Sequence, residues 1–224
     1  MRSAAVSHLE GLLQARQLDR TLFRGGPAIA GIPMAASGLP EVDARLGGGW
    51  RRGEVSELVG AVSSGRTTVM AASLAASTAR GEVAALVDAV DRFDPASAAA
   101  FGLDLSRLLW VRGPALTVEA ARLTMVERAV QQAVRAFDLI IRAGGFGLVV
   151  LDLADVSPRV VRSLPHTTWL RLAHANEGRD TAGLMVLDSP MGRSARGVTL
   201  PLQGAPRWAG SSDQSRRLLR VLGA

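Results

Sequence analysis

Residues Gly53 to Thr68 read GEVSELVGAVSSGRTT. GEVSELVG is an apolar run closed by glycine, which predicts a buried strand, and RTTVMAASLAASTAR from Arg66 predicts a helix. Between them stands G-x-x-x-x-G followed by Arg66, Thr67 and Thr68, the outline of a phosphate-cradling loop. The glycines let backbone N–H groups turn inward, and the helix behind them directs its positive end at the same anion. One position departs from the working pattern: arginine stands at 66 where lysine is usual. A guanidinium keeps the charge but is a planar fork, bulkier than a compact ammonium. The candidate nucleotide-site residues are Gly60, Gly65, Arg66, Thr67 and Thr68, joined further along by Asp152, and the loop reads as vestigial.

Outward from this loop the chain alternates strands and helices. EVAALVD predicts a strand, a helix starts at about Asp94, LLWV is a short strand, and a long helix runs from Thr117 to about Arg142. FGLVVLDL predicts a buried strand, Arg159 to Asn176 a helix, AGLMVLD a strand and RGVTLPL an added strand. Near-continuous apolar strands joined by helical crossovers predict an α/β fold with a mainly parallel central sheet flanked by helices. The expected organisation is an amphipathic helix and linker over 1–34, a core over 35–210, and a basic helix over 211–224. In that last segment Arg216, Arg217, Leu218, Leu219, Arg220 and Leu222 form a candidate partner-binding face. Packing on the chain's own sheet is the alternative for both terminal helices.

Composition narrows the chemistry. The chain has 224 residues, 48% of them hydrophobic, and no cysteine, so disulfides and thiolate metal sites are excluded. The three histidines, His8, His166 and His174, have no ligand-like spacing with carboxylates, so no metal site is expected. Asp152 and Asp155 interrupt the longest apolar stretch, and no run approaches the roughly 18 to 20 residues that span a membrane. The N-terminus lacks an uninterrupted apolar stretch like a secretory signal's, which predicts a cytoplasmic protein without a membrane partner. All 26 basic residues are arginine, and the net charge of +6 permits contact with nucleic acid or an acidic protein.

GLPEVDARLGGGWRRGEVSELVGAVSSGRTT resembles the entry to the bacterial RecA core, matching it in order at Asp43, Leu46, Gly48, Gly53, Glu57 and Gly60. LVDAVDRFDP and FGLDLSRLLW continue the similarity at Asp88, Asp94, Pro95, Gly102, Asp104, Leu108 and Leu109, so that it covers roughly residues 35 to 202. The resemblance implies a RecA-like P-loop fold. It also exposes departures: the water-activating glutamate of RecA falls at Val90, the adenine-stacking aromatic near Ser97, and the phosphate-sensing amide near Leu187 or Asp188. A one-residue shift on an extended segment points the adjacent Asp91 to the other face. Asp152 matches the magnesium-side aspartate, with a strand-end cap as its alternative role. Weak or absent ATP hydrolysis is therefore expected. No cofactor is expected either, ATP and magnesium entering only if the loop still works.

RecA contacts single-stranded DNA through loops at its strand ends; the equivalent interval, SPMGRSAR, is short, and Arg193 and Arg196 are its candidate DNA contacts. A basic hairpin in solvent is the alternative. The GGGW-x-RG-x-x-x-E-x-x-G pattern, carried by Gly47, Gly48, Gly49, Trp50, Arg52, Gly53, Glu57 and Gly60, resembles the ImuA group. That narrower resemblance implies an accessory of DNA-damage-induced mutagenesis and translesion synthesis. Its partners would be an ImuB-like Y-family protein, RecA itself and, indirectly, an error-prone DnaE-type polymerase. Two other readings stay open, a DNA-dependent recombinase-like ATPase and a SulA-like inhibitor of cell division.

Overall fold

A computed structural model describes residues 31, 33–116 and 122–203, together with the backbone of two short strands at 207–209 and 217–219. The chain divides between Gly31 and Ile32, and the elements below belong to the second unit. The N-terminal helix and linker expected over 1–34 fall mostly outside the described residues.

Six parallel strands make the central sheet: β3 (Val55–Gly60), β4 (Ala84–Asp88), β5 (Leu108–Arg112), β6 (Leu148–Asp152), β7 (Ala182–Leu187) and β8 (Thr199–Leu202), in the order β5-β4-β6-β7-β3-β8. A small antiparallel pair precedes it, β1 (Met34–Ala35) with β2 (Trp50–Arg51). Side chains alternate across the sheet, so each strand feeds two cores. On one face Val55, Val59, Val87, Val149, Leu151 and Met185 meet helices α4 (Leu123–Ala143), α5 (Pro158–Ser163) and α6 (His166–Asn176). On the other, Leu58, Leu86, Leu148, Val150 and Leu184 meet α1 (Pro40–Leu46), α2 (Arg66–Ala79) and α3 (Pro95–Ala100). With both faces covered, strands β3, β4, β6 and β7 are buried at every residue, which is why they read as unbroken apolar runs.

The α/β reading is borne out, with differences in detail. The helix expected from Arg159 to Asn176 is two helices, because Pro165 lacks an N–H and holds Leu164 extended at ψ 137°. Of the expected 117–142 helix, 117–121 lie outside the described residues and α4 begins at Leu123, after Arg122 with ψ 137°. The basic helix expected over 211–224 is corrected where it is described: Arg217–Leu219 form strand β10, antiparallel to β9 (Arg207–Ala209). Backbone pairing with a nearby strand satisfies these groups directly, whereas a short isolated helix is marginal in water. Trp50, buried and donating Nε1–H to Ser73 Oγ at 2.9 Å, and the buried Trp169 are core anchors. Among the described residues no helix is long and apolar enough to cross a membrane.

Candidate functional site

Strand β3 ends at Gly60, and the chain turns tightly to start α2 at Arg66. A Cβ on Gly60 would fall 2.2 Å from Ser64 Oγ, so only glycine lets the turn pack this closely. Gly65, left-handed at φ 93°, then caps α2 without any side-chain acceptor. This is the path of a phosphate-cradling loop, and Thr67 and Thr68 occupy the first turn of the helix behind it.

The Arg66 side chain does not extend to solvent; it is 4% exposed. Its Nη1 donates to the Gly60 carbonyl and to Asp188 Oδ1, and its Nη2 to Asp155 Oδ1. The Asp155 N–H donates to the same Asp188 oxygen at 3.2 Å. Asp155 sits left-handed at φ 63°, a conformation aspartate tolerates better than most residues. One guanidinium thereby joins the loops that leave β3, β6 and β7, three neighbouring strands, at their carboxyl ends.

Two further carboxylates lie beneath. Register places Asp88, at the end of β4, beside Asp152, at the end of β6. Asp88 accepts from the Arg92 and Phe93 N–H groups, both at 2.9 Å, and Asp152 from the Ala154 N–H at 2.9 Å. Burial pushes the Asp152 carboxyl up to about 6, with Asp88 adding to the rise and Arg66 opposing it. The bond to Ala154 is the strand-end turn that the sequence allows for Asp152.

The residues aligned with catalytic parts take structural places. Val90 is buried in the core. Asp91, left-handed at φ 58°, forms a two-bond fork with Arg112, Nε to Oδ1 and Nη2 to Oδ2, both at 2.9 Å. Arg112 in turn lies 4.5 Å from the Trp110 ring centre. Ser97 is exposed and donates to Asp94, Leu187 is buried, and Asp188 is bound to Arg66.

The loop between β7 and β8 is tied down at several points. Glu57, 1% exposed, accepts the Met191 and Gly192 N–H groups on Oε1, both at 2.7 Å, and the Thr199 hydroxyl on Oε2 at 2.7 Å. Arg193 donates to the carbonyls of Ser194, Ala195 and Gly197. Arg196 pairs with Glu54 at 3.3 Å, and its carbonyl accepts from Arg51. Both candidate DNA contacts are therefore engaged within the fold. Of the candidate partner residues, Arg217, Leu218 and Leu219 lie in β10, whereas Arg216, Arg220 and Leu222 lie outside the described residues.

The family profile described as RecA N-terminal domain matches residues 22–161, from before the cradle to past β6 and Asp155. The chain belongs to the RecA family. Similar proteins include Protein RecA of Borreliella afzelii (strain PKo), 31% identical over 153 residues, 64% of this chain and 38% of that one. Protein RecA of Prochlorococcus marinus (strain SARG) is 32% identical over 160 residues, 70% of this chain and 38% of the relative. That of Prochlorococcus marinus (strain MIT 9211) is 36% identical over 150 residues, 64% of this chain and 37% of the relative. The matched stretch thus spans less than two fifths of these curated relatives.

In this RecA-family chain Arg66, Asp155 and Asp188 are bound to one another beside the cradle. A terminal phosphate would meet the Asp155 and Asp188 carboxylates and would have to draw Arg66 off the Gly60 carbonyl. Sequence reasoning missed Asp155 and Asp188 as a pair; Asp155 registers only as a break in an apolar run. A buried arginine requires counter-charges, and the acidic residues at neighbouring strand ends are where to look for them.

Proposed function

We propose that this chain is a RecA-family accessory protein that does not hydrolyse ATP and serves as an adaptor in DNA-damage-induced mutagenesis and translesion synthesis. Its partners in this reading are an ImuB-like Y-family protein and RecA, with an error-prone DnaE-type polymerase reached indirectly. The observation that carries the reading is the filled cradle, in which Arg66, Asp155 and Asp188 satisfy one another without a ligand. Support also comes from Val90, a buried apolar side chain where a water-activating carboxylate would be needed. The GGGW pattern that the chain shares with the ImuA group supplies the mutagenesis context.

The test is calorimetry with ATP and magnesium on the wild type and on Arg66→Lys, followed by pull-down with purified ImuB and RecA. The expected result is no heat of binding for the wild type and capture of ImuB. Tight ATP binding with DNA-stimulated phosphate release would replace the adaptor with the recombinase-like ATPase. Family membership and the retained Asp152 favour that second reading.

A further inference from the structure

The arginines of the two helical layers are used differently. On the α1–α3 side, Arg45, Arg80 and Arg107 each donate to a carbonyl or a carboxylate of the fold. On the α4–α6 side, Arg128, Arg135, Arg159 and Arg171 are exposed and make no hydrogen bond or ion pair among the described residues. Arg128, Arg135 and Arg142 follow one another at seven-residue spacing on α4, so they form one stripe with about 10 Å between successive members. Arg142 is held by Asp138 at 3.0 Å.

The same stripe carries an apolar side chain. Leu139, four residues after Arg135 and three before Arg142, is 68% exposed. Leu170, beside Arg171 on α6, is 48% exposed. Nucleic-acid phosphates would use the arginines but gain nothing from covering leucine. The aromatic side chains of these helices, Phe137 and Trp169, are buried and unavailable for base stacking. An acidic protein segment with an apolar residue uses both features: its carboxylates meet guanidinium forks and its apolar residue covers Leu139.

We infer that the exposed stripe of α4, centred on Arg128, Arg135 and Leu139, is a docking surface for an acidic protein segment bearing an apolar anchor. It lies apart from the cradle and does not depend on whether the cradle takes nucleotide. The long α4 exposes these side chains without using them in its core, so they can be changed without disturbing the fold.

The test uses the full chain and two fluorescein-labelled peptides of about 15 residues with equal net charge, one of repeated Glu-Glu-Leu units and one of repeated Glu-Glu-Gly units. Fluorescence anisotropy at about 50 mM salt should show tighter binding of the leucine-bearing peptide. Arg128→Glu/Arg135→Glu should weaken it by about tenfold or more, and Leu139→Ser by about threefold for that peptide alone. Arg45→Glu, on the other layer, should leave binding unchanged, and circular dichroism melting checks that each variant folds. A labelled oligothymidylate serves as competitor. Equal binding of both peptides, no binding of either, or unchanged affinity in the variants overturns the assignment. So does a charge-reversed variant that loses oligothymidylate binding while Leu139→Ser has no effect, since that pattern describes a phosphate surface.

Discussion

Arginine–carboxylate clusters brace the sheet at both ends, and they are built differently. At the carboxyl end Arg66 is the cation shared by Asp155 and Asp188, with Asp152 and Asp88 close behind. At the amino end Arg52 and Arg80 both bind Glu82, Ser77 Oγ donates to the same carboxylate at 2.8 Å, and Arg52 also donates to the Asp180 carbonyl at 2.8 Å. Partial burial pushes the Glu82 carboxyl up, but the bonds from Arg80, Ser77 and Arg52 outweigh it and hold it below the usual range. At the amino end two guanidiniums share one carboxylate; at the carboxyl end one guanidinium is shared by two, Asp155 and Asp188. A buried charge matters to stability according to what remains unpaired when it is removed.

The sharpest way to break this contrast is Arg66→Ala. It leaves Asp155 and Asp188 without the cation that binds both, and Asp152 without an opposing charge, and should cost on the order of 3 kcal/mol in urea unfolding at neutral pH. A loss under about 1 kcal/mol would mean that the carboxyl end is no more dependent than the amino end.

Next comes Asp152→Asn, which keeps an oxygen for the Ala154 N–H while removing a buried charge. The folded carboxyl, pushed to about 6, is stabilised in its protonated form. An unfolded aspartate releases its proton at about pH 3.9, so ionisation costs stability above about pH 6 and that cost disappears as pH falls below about 4. The variant should be more stable than wild type by roughly 1–2 kcal/mol at about pH 7.5, with the gain gone at about pH 4. A pH-independent difference would show that packing, not ionisation, sets it.

Arg52→Ala should cost less than Arg66→Ala, about 1 kcal/mol, because Arg80 and Ser77 still satisfy Glu82. The smallest effect is expected for Asp91→Asn, whose exposed fork with Arg112 should leave the melting temperature unchanged within error.

The fold is legible in the sequence because buried parallel strands are apolar throughout and each helix brings its own punctuation. Gly60 and Gly65 mark the tight turn, and Pro95 follows the Asp94 cap. Pro165 carries a signal for the break, since proline disfavours a helical residue before it, but the apolar helical pattern running past it hides that signal. Strand β10 is not: RRLL has helical spacing, and its pairing with β9 is a tertiary fact. The cradle is legible as a path and illegible as a state. That Arg66 turns back onto Gly60 depends on Asp155 and Asp188, which only the strand order β6-β7-β3 brings within reach.

That strand order also bears on how the protein is made. β3, which carries the cradle, is flanked in the sheet by β7 and β8, so Val55 waits for Gly183 and Glu57 for both Met185 and Thr199. On the ribosome β3 emerges long before either neighbour. Until β7 arrives its edges are unpaired, and Arg66 lacks Asp188. Nascent chains stopped short of β7 should therefore bind chaperones and be cut readily by protease, and protection should come late and all at once.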